Sequence, residues 1–118
     1  MQVQYPTVEI DNIGTFKYIQ IKITKKSDVN DKKIIIRGTS QFKFHDQNFE
    51  QFMTVNNIGI NDTYSYEPIG GGKITIDGSN MKIYGMSSVY GACDHNLTKQ
   101  ILLDNLEGAD KFNIVVEN

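Results

Sequence analysis

From Phe16 to Thr24 the chain alternates with a period of two, setting Ile19, Ile21 and Ile23 on one side of the backbone and Tyr18, Gln20 and Lys22 on the other. Only an extended strand gathers that spacing into one apolar face, so the segment reads as a half-buried strand of a β-sheet. Lys33 to Arg37 contains Ile34-Ile35-Ile36, apolar without alternation, which predicts a strand covered on both faces. The period then changes. Phe49, Phe52, Met53 and Asn56 recur at three and four, predicting a helix from Asp46 to Ile58 with Gly59 as its stop and His45 at its entrance. A second helix is predicted over Leu97 to Leu106, with Ile101, Leu102 and Leu106 turned inward and Gly108 as its cap.

The remaining segments complete the sheet. Val8 to Ile10 is a short strand followed by a turn at Asp11 to Gly14, and the polar run Lys25 to Lys33 reads as a surface connection. Tyr64 to Ile69 and Lys73 to Asp77 are strand-like pieces separated by Gly70-Gly71-Gly72, read as a bulged bend. After a turn at Asp77 to Asn80 come a strand over Met81 to Ser87, a small-residue loop over Ser88 to Ala92, and a last strand over Phe112 to Val116. At 118 residues there is room for one core. The expected fold is α/β: a single domain over 1–118, with a mixed sheet of about six strands flanked by two α-helices in the order β-β-β-α-β-β-α-β.

Several functions are excluded at this level. Twelve Lys and Arg against fourteen Asp and Glu give a net charge of −2, so the chain lacks the excess positive charge that drives nucleic-acid binding. Cys93 is the only cysteine, which rules out an intrachain disulfide and a Cys-rich zinc site, and with two histidines no metal or cofactor is expected. Met1 to Gly14 lacks the basic start and apolar block of a signal peptide, and no run approaches the roughly 20 apolar residues of a membrane span. A cytoplasmic monomer without a membrane partner is expected. Gly70-Gly71-Gly72-Lys73 is not a phosphate loop, because Glu67 and Ile74 stand where Gly and Ser or Thr are required. Cys93, with no cation beside it in the sequence, reads as an unreactive thiol. Lys17 falls on the isoleucine face, where a long cation usually snorkels to water.

Taken in order, the motifs resemble the protein histidine phosphatase family, also called Janus/Ocnus. The resemblance runs from Val8-Glu9-Ile10-Asp11 and Gly14-Thr15-Phe16-Lys17-Tyr18 through Ile36-Arg37-Gly38 and Phe44-His45-Asp46. It continues through Gly70-Gly71-Gly72-Lys73-Ile74 and Ile83 to Gly91, and ends at His95. It implies a metal-independent phosphatase acting on phosphohistidine-containing proteins. His45 would be the catalytic residue and Lys17 a phosphate contact. Ser87, Ser88 and Val89 would form the phosphate loop, Asp46 would offer its backbone N–H, and Arg37 and Lys73 would add positive charge. Lys73 stands where the family commonly has Arg, and Val89 where small residues are common.

These residues suit the chemistry. A phosphorylated imidazole carries close to two negative charges, and a helix entrance together with a tight loop can aim several backbone N–H groups at it. Neighbouring cations should hold His45 neutral, fit to take a proton from water or to attack phosphorus itself. Lys17 then has a reason to sit on the apolar face. His95 is expected to be structural or superficial. The alternative is a phosphate-dependent binding or regulatory module of the same fold, without turnover.

Overall fold

The computed structural model describes residues 5–56, 58–59 and 63–117. Six strands form one mixed sheet: β1 (Val8–Ile10), β2 (Gly14–Lys25), β3 (Asp28–Gly38), β4 (Tyr64–Asp77), β5 (Asn80–Tyr84) and β6 (Asn113–Val116), in the spatial order β1-β3-β2-β4-β5-β6. The two outer pairings, β1 with β3 and β5 with β6, are parallel, and the inner three are antiparallel. Helix α1 (His45–Val55) follows β3 and helix α2 (His95–Asn105) follows β5. The architecture and element order are those expected from the sequence.

Each face of the sheet carries one helix. On the α1 side Ile19, Ile21, Ile23, Ile35 and Phe52 pack together; on the α2 side the cluster is centred on Phe16, Tyr18, Ile36, Ile74, Ile83 and Leu102. Ile35 and Ile36 therefore enter different cores, as a strand covered on both faces requires. The half-buried reading of β2 does not hold, because Tyr18 and Gln20 are also buried. Each can be buried because its polar atoms are paired. The Tyr18 hydroxyl bonds His95 Nδ1 and Thr98 Oγ1, and Gln20 Nε2 donates to Thr98 Oγ1 and to the Asp94 carbonyl.

The structure differs from the sequence reading at five places within these elements. The polar run after Lys25 is a tight hairpin, not a long connection: β3 begins at Asp28, and Thr24 pairs Lys32. Residues 28–30 are exposed, so no apolar alternation marks them. The triple glycine lies inside one continuous strand, β4, with its irregularity at Ile69, between the pairs Gln20–Gly70 and Ile21–Pro68. Strand β5 stops at Tyr84, where Gly85 turns away with φ +77°. Helix α2 starts two residues before Leu97 because Asp94 caps it, accepting the N–H groups of Asn96 and Leu97. Helix α1 ends at Val55, short of Ile58; Asn57 lies outside the described residues.

Candidate functional site

Three elements meet above the middle of β4. His45 is the first residue of α1, preceded by Phe44 in an extended conformation, whose N–H donates to Gln47 Oε1. In that first turn the amides of His45 and Asp46 have no intrahelical acceptor, and the positive end of the helix dipole lies there. The His45 ring is 2% exposed and rests on the sheet over Gly71. A Cβ on Gly71 would stand 2.8 Å from His45 Cδ2 and 2.5 Å from the Tyr18 carbonyl, so glycine here makes the seat for the ring.

One hydrogen bond decides the state of the imidazole. His45 Nε2 lies 2.9 Å from the Gly72 carbonyl oxygen. A carbonyl only accepts, so Nε2 carries the proton and Nδ1 keeps the lone pair. Burial lowers the pKa of His45 below its ordinary value, and the ammonium groups of Lys17 and Lys73 lower it further against the opposing influence of the Gly72 bond and of Asp46. His45 is a neutral base facing positive charge.

Lys17 and Lys73 are direct cross-strand partners on β2 and β4, and neither has an ion pair among the described residues. Like charges placed opposite each other disfavour the sheet unless an anion lies between them. The Lys17 ammonium sits 5.5 Å from the centre of the half-exposed Phe44 ring, which Lys43 approaches at 5.6 Å from its own side. Lys17 thus has a defined place beside His45.

The third element is the loop from Ser87 to Gly91. Ser87 and Gly91 exchange backbone hydrogen bonds, and Gly91 also accepts the Gly71 N–H, which fixes the loop to the strand under His45. Ser87 is fully buried, and its Oγ accepts the N–H groups of Val89 and Tyr90 at 3.1 and 3.0 Å. Ser87 builds the loop. Ser88 is exposed, and among the described residues its N–H has no protein partner, while the Val89 side chain is open to solvent. The Tyr90 ring packs edge-on against Phe49 of α1, joining loop to helix.

The other sequence candidates lie elsewhere. Arg37 pairs with Ile19, which in turn pairs with Gly71, so it stands two strands from Gly71, about 10 Å by strand spacing. Its guanidinium lies over Phe52 and donates to the carbonyls of Ile36 and Pro6. His95 is on the opposite face of the sheet under Gly72, buried, donating from Nε2 to the Gly85 carbonyl. Cys93 is a half-buried thiol, bonded to the Tyr18 hydroxyl, and its partial burial raises its pKa. The sequence reading gives Phe44, Tyr90 and Gln47 no role at the site; of the three, Gln47, three residues after the cap position, carries a local signal.

A model of the Janus/Ocnus family matches residues 2–110. The sex-regulated protein janus-A of Drosophila pseudoobscura pseudoobscura is 36% identical over 104 residues, covering 83% of this chain and 67% of the relative. Its counterpart in Drosophila melanogaster is 34% identical over 100 residues, covering 82% and 70%. The 14 kDa phosphohistidine phosphatase of Sus scrofa is 30% identical over 104 residues, covering 82% and 79%.

Proposed function

The chain belongs to the Janus/Ocnus family, and from that premise we propose that it is a metal-independent phosphatase hydrolysing the N–P bond of phosphohistidine in other proteins. The observation that carries this reading is His45, neutral by burial, tautomer fixed by Gly72, and flanked by two lysines that have no ion-pair partner among the described residues. The name of the porcine relative supports the same substrate. A phosphoryl group enters between the α1 N-terminus and the Ser87 to Gly91 loop, where its oxygens take the N–H groups of Asp46 and Ser88 and the ammonium groups of Lys17 and Lys73. Ser87 and Val89 hold the loop's shape, and Arg37 stands outside the pocket.

In the reaction a water oxygen bonds to phosphorus as the N–P bond breaks. The proton leaving the water passes to His45 Nδ1, the ring atom left with a lone pair, and the departing imidazole takes its proton from solvent. The lysines and backbone donors offset charge on the phosphoryl oxygens through the transition state. No step calls for a metal. The test is orthophosphate release from a phosphohistidine-carrying protein with and without EDTA: turnover above the spontaneous rate, unchanged by the chelator, is expected. Loss of turnover in EDTA that magnesium or manganese restores would falsify the mechanism.

A further inference from the structure

A cleft of about 540 Å³ opens between α1 and the edge strand β1, lined by Arg37, which Ile19 separates from Gly71 under His45. Two of its groups are incomplete. Asn48, one turn beyond His45, is 4% exposed, and among the described residues its Nδ2 has no hydrogen-bond partner. A buried amide without an acceptor is rare because its desolvation is not recovered. Arg37 is 8% exposed, and its short hydrogen bonds, from Nη1 to the Ile36 carbonyl and from Nη2 to the Pro6 carbonyl, are both 2.8 Å and both to neutral groups. The Glu9 carboxylate is 3.8 Å from Nε and mostly in water. The counter-charge of this buried guanidinium is thus a mostly solvated carboxylate at the long end of ion-pair range, with no carboxylate at hydrogen-bond distance among the described residues.

The two groups share one surface. Asn48 precedes Phe52 by one helical turn, and Arg37 lies 5.2 Å above the centre of the Phe52 ring. Each Nη of Arg37 keeps one N–H beyond the bond it makes, and Asn48 Nδ2 keeps two. Asn48, Arg37 and Phe52 all line this one cleft, so the unused donors border a shared space. A planar oxyanion fits the guanidinium fork, with Phe52 and Val55 as an apolar wall beside it. Glu9 and Asp11 also line the cleft, and because their repulsion grows with the charge of the ligand, a single negative charge is favoured over a dianion. We propose that this cleft is a second ligand site, distinct from the His45 pocket, that takes a carboxylate attached to a small apolar body.

A carboxylate of this kind comes from a free small acid or from the C-terminus of a polypeptide, and one titration separates them. Nitrogen-labelled protein is titrated with butyrate, with a short apolar peptide ending in a free carboxylate, with the same peptide amidated, and with inorganic phosphate. The Asn48 side-chain NH2 and Arg37 Nε–H signals are followed by NMR. Saturable shifts with butyrate point to a small acid, and shifts with the free-ended peptide alone point to a chain terminus. The amidated peptide is expected to shift neither signal, and phosphate is expected to act on the Ser87 to Gly91 loop instead. Asn48→Leu, which replaces the unpartnered amide by an apolar group of similar size, should weaken carboxylate binding about tenfold or more. The proposal is overturned if no carboxylate gives saturable shifts at either signal, if phosphate competes equally there, or if Asn48→Leu binds as tightly as the wild type.

Discussion

The role proposed for His45 rests on what its surroundings do to one imidazole. An imidazole in water is half protonated near pH 6.5. Here burial and two lysines disfavour its charged form, so the base is ready across the neutral range. The sign follows from the lowered pKa: protonation, which removes the Nδ1 lone pair, occurs only below the ordinary value, so the acid limb of kcat/KM falls below pH 6.5. Lys17→Ala removes one of the fields that depress this pKa and one cation from the pocket. The acid limb should move upward, and phosphate binding should weaken by about 1 to 3 kcal/mol, the range of a charge-assisted contact. A pH–rate profile and a phosphate titration check both effects; an unmoved limb with unchanged binding would return Lys17 to a solvated surface role. Lys17 was legible in the sequence because a charge on an isoleucine face breaks a pattern. Arg37 was not, since adjacency to Gly38 in the chain says nothing of the turn of its side chain toward Phe52 and Pro6.

At the scale of elements, the triple glycine carries most of the design. Successive residues of a strand face opposite ways, so Gly71 lies under His45 while Gly72 lies over His95, each missing side chain making room for the first residue of a different helix. The sequence showed three glycines between strand-like pieces, and a bulged bend was the natural reading. What it did not show was the helix pressing on each face, because that depends on tertiary packing. Gly71→Ala places a methyl against both the His45 ring and the Tyr18 carbonyl. The expected cost is about 1 to 3 kcal/mol of stability, the usual range for an overpacked core, with turnover lost in the fraction that remains folded. Chemical denaturation together with an assay of the folded protein checks it, and a variant with native stability and turnover would contradict the close seat.

Over the whole molecule, the sheet separates two buried histidines, one against each face. On the α2 side the Tyr18 hydroxyl joins His95 Nδ1, Thr98 Oγ1 and Cys93 Sγ in one buried network, and burial pushes the Tyr18 phenol far above its usual range. It stays a neutral donor. Tyr18→Phe strips the shared partner from that network and should lower unfolding free energy by about 1 to 3 kcal/mol while leaving kcat for phosphohistidine within about twofold of wild type. A thermal melt beside a kinetic assay separates the outcomes, and a large fall in kcat at unchanged stability would assign this face a part in the chemistry. The fold class and element order could be read from the sequence because the periods of two and three to four are local. The Lys25 to Lys33 hairpin could not, since its residues are nearly all polar and exposed or half-buried, which leaves no apolar alternation to read.

The central claim, that His45 acts through its Nδ1 lone pair and is not merely part of a phosphate-binding surface, is tested most directly by His45→Asn. Asparagine keeps much of the size and polarity but has no basic nitrogen. Hydrolysis of a phosphohistidine peptide, followed by phosphorus NMR, should fall about 100-fold or more, the usual contribution of a positioned base. Phosphate binding, followed by amide shifts across Ser87 to Gly91, should change far less. Undiminished hydrolysis by His45→Asn would contradict the account, as would a wild type that binds phosphate at this loop and never accelerates hydrolysis.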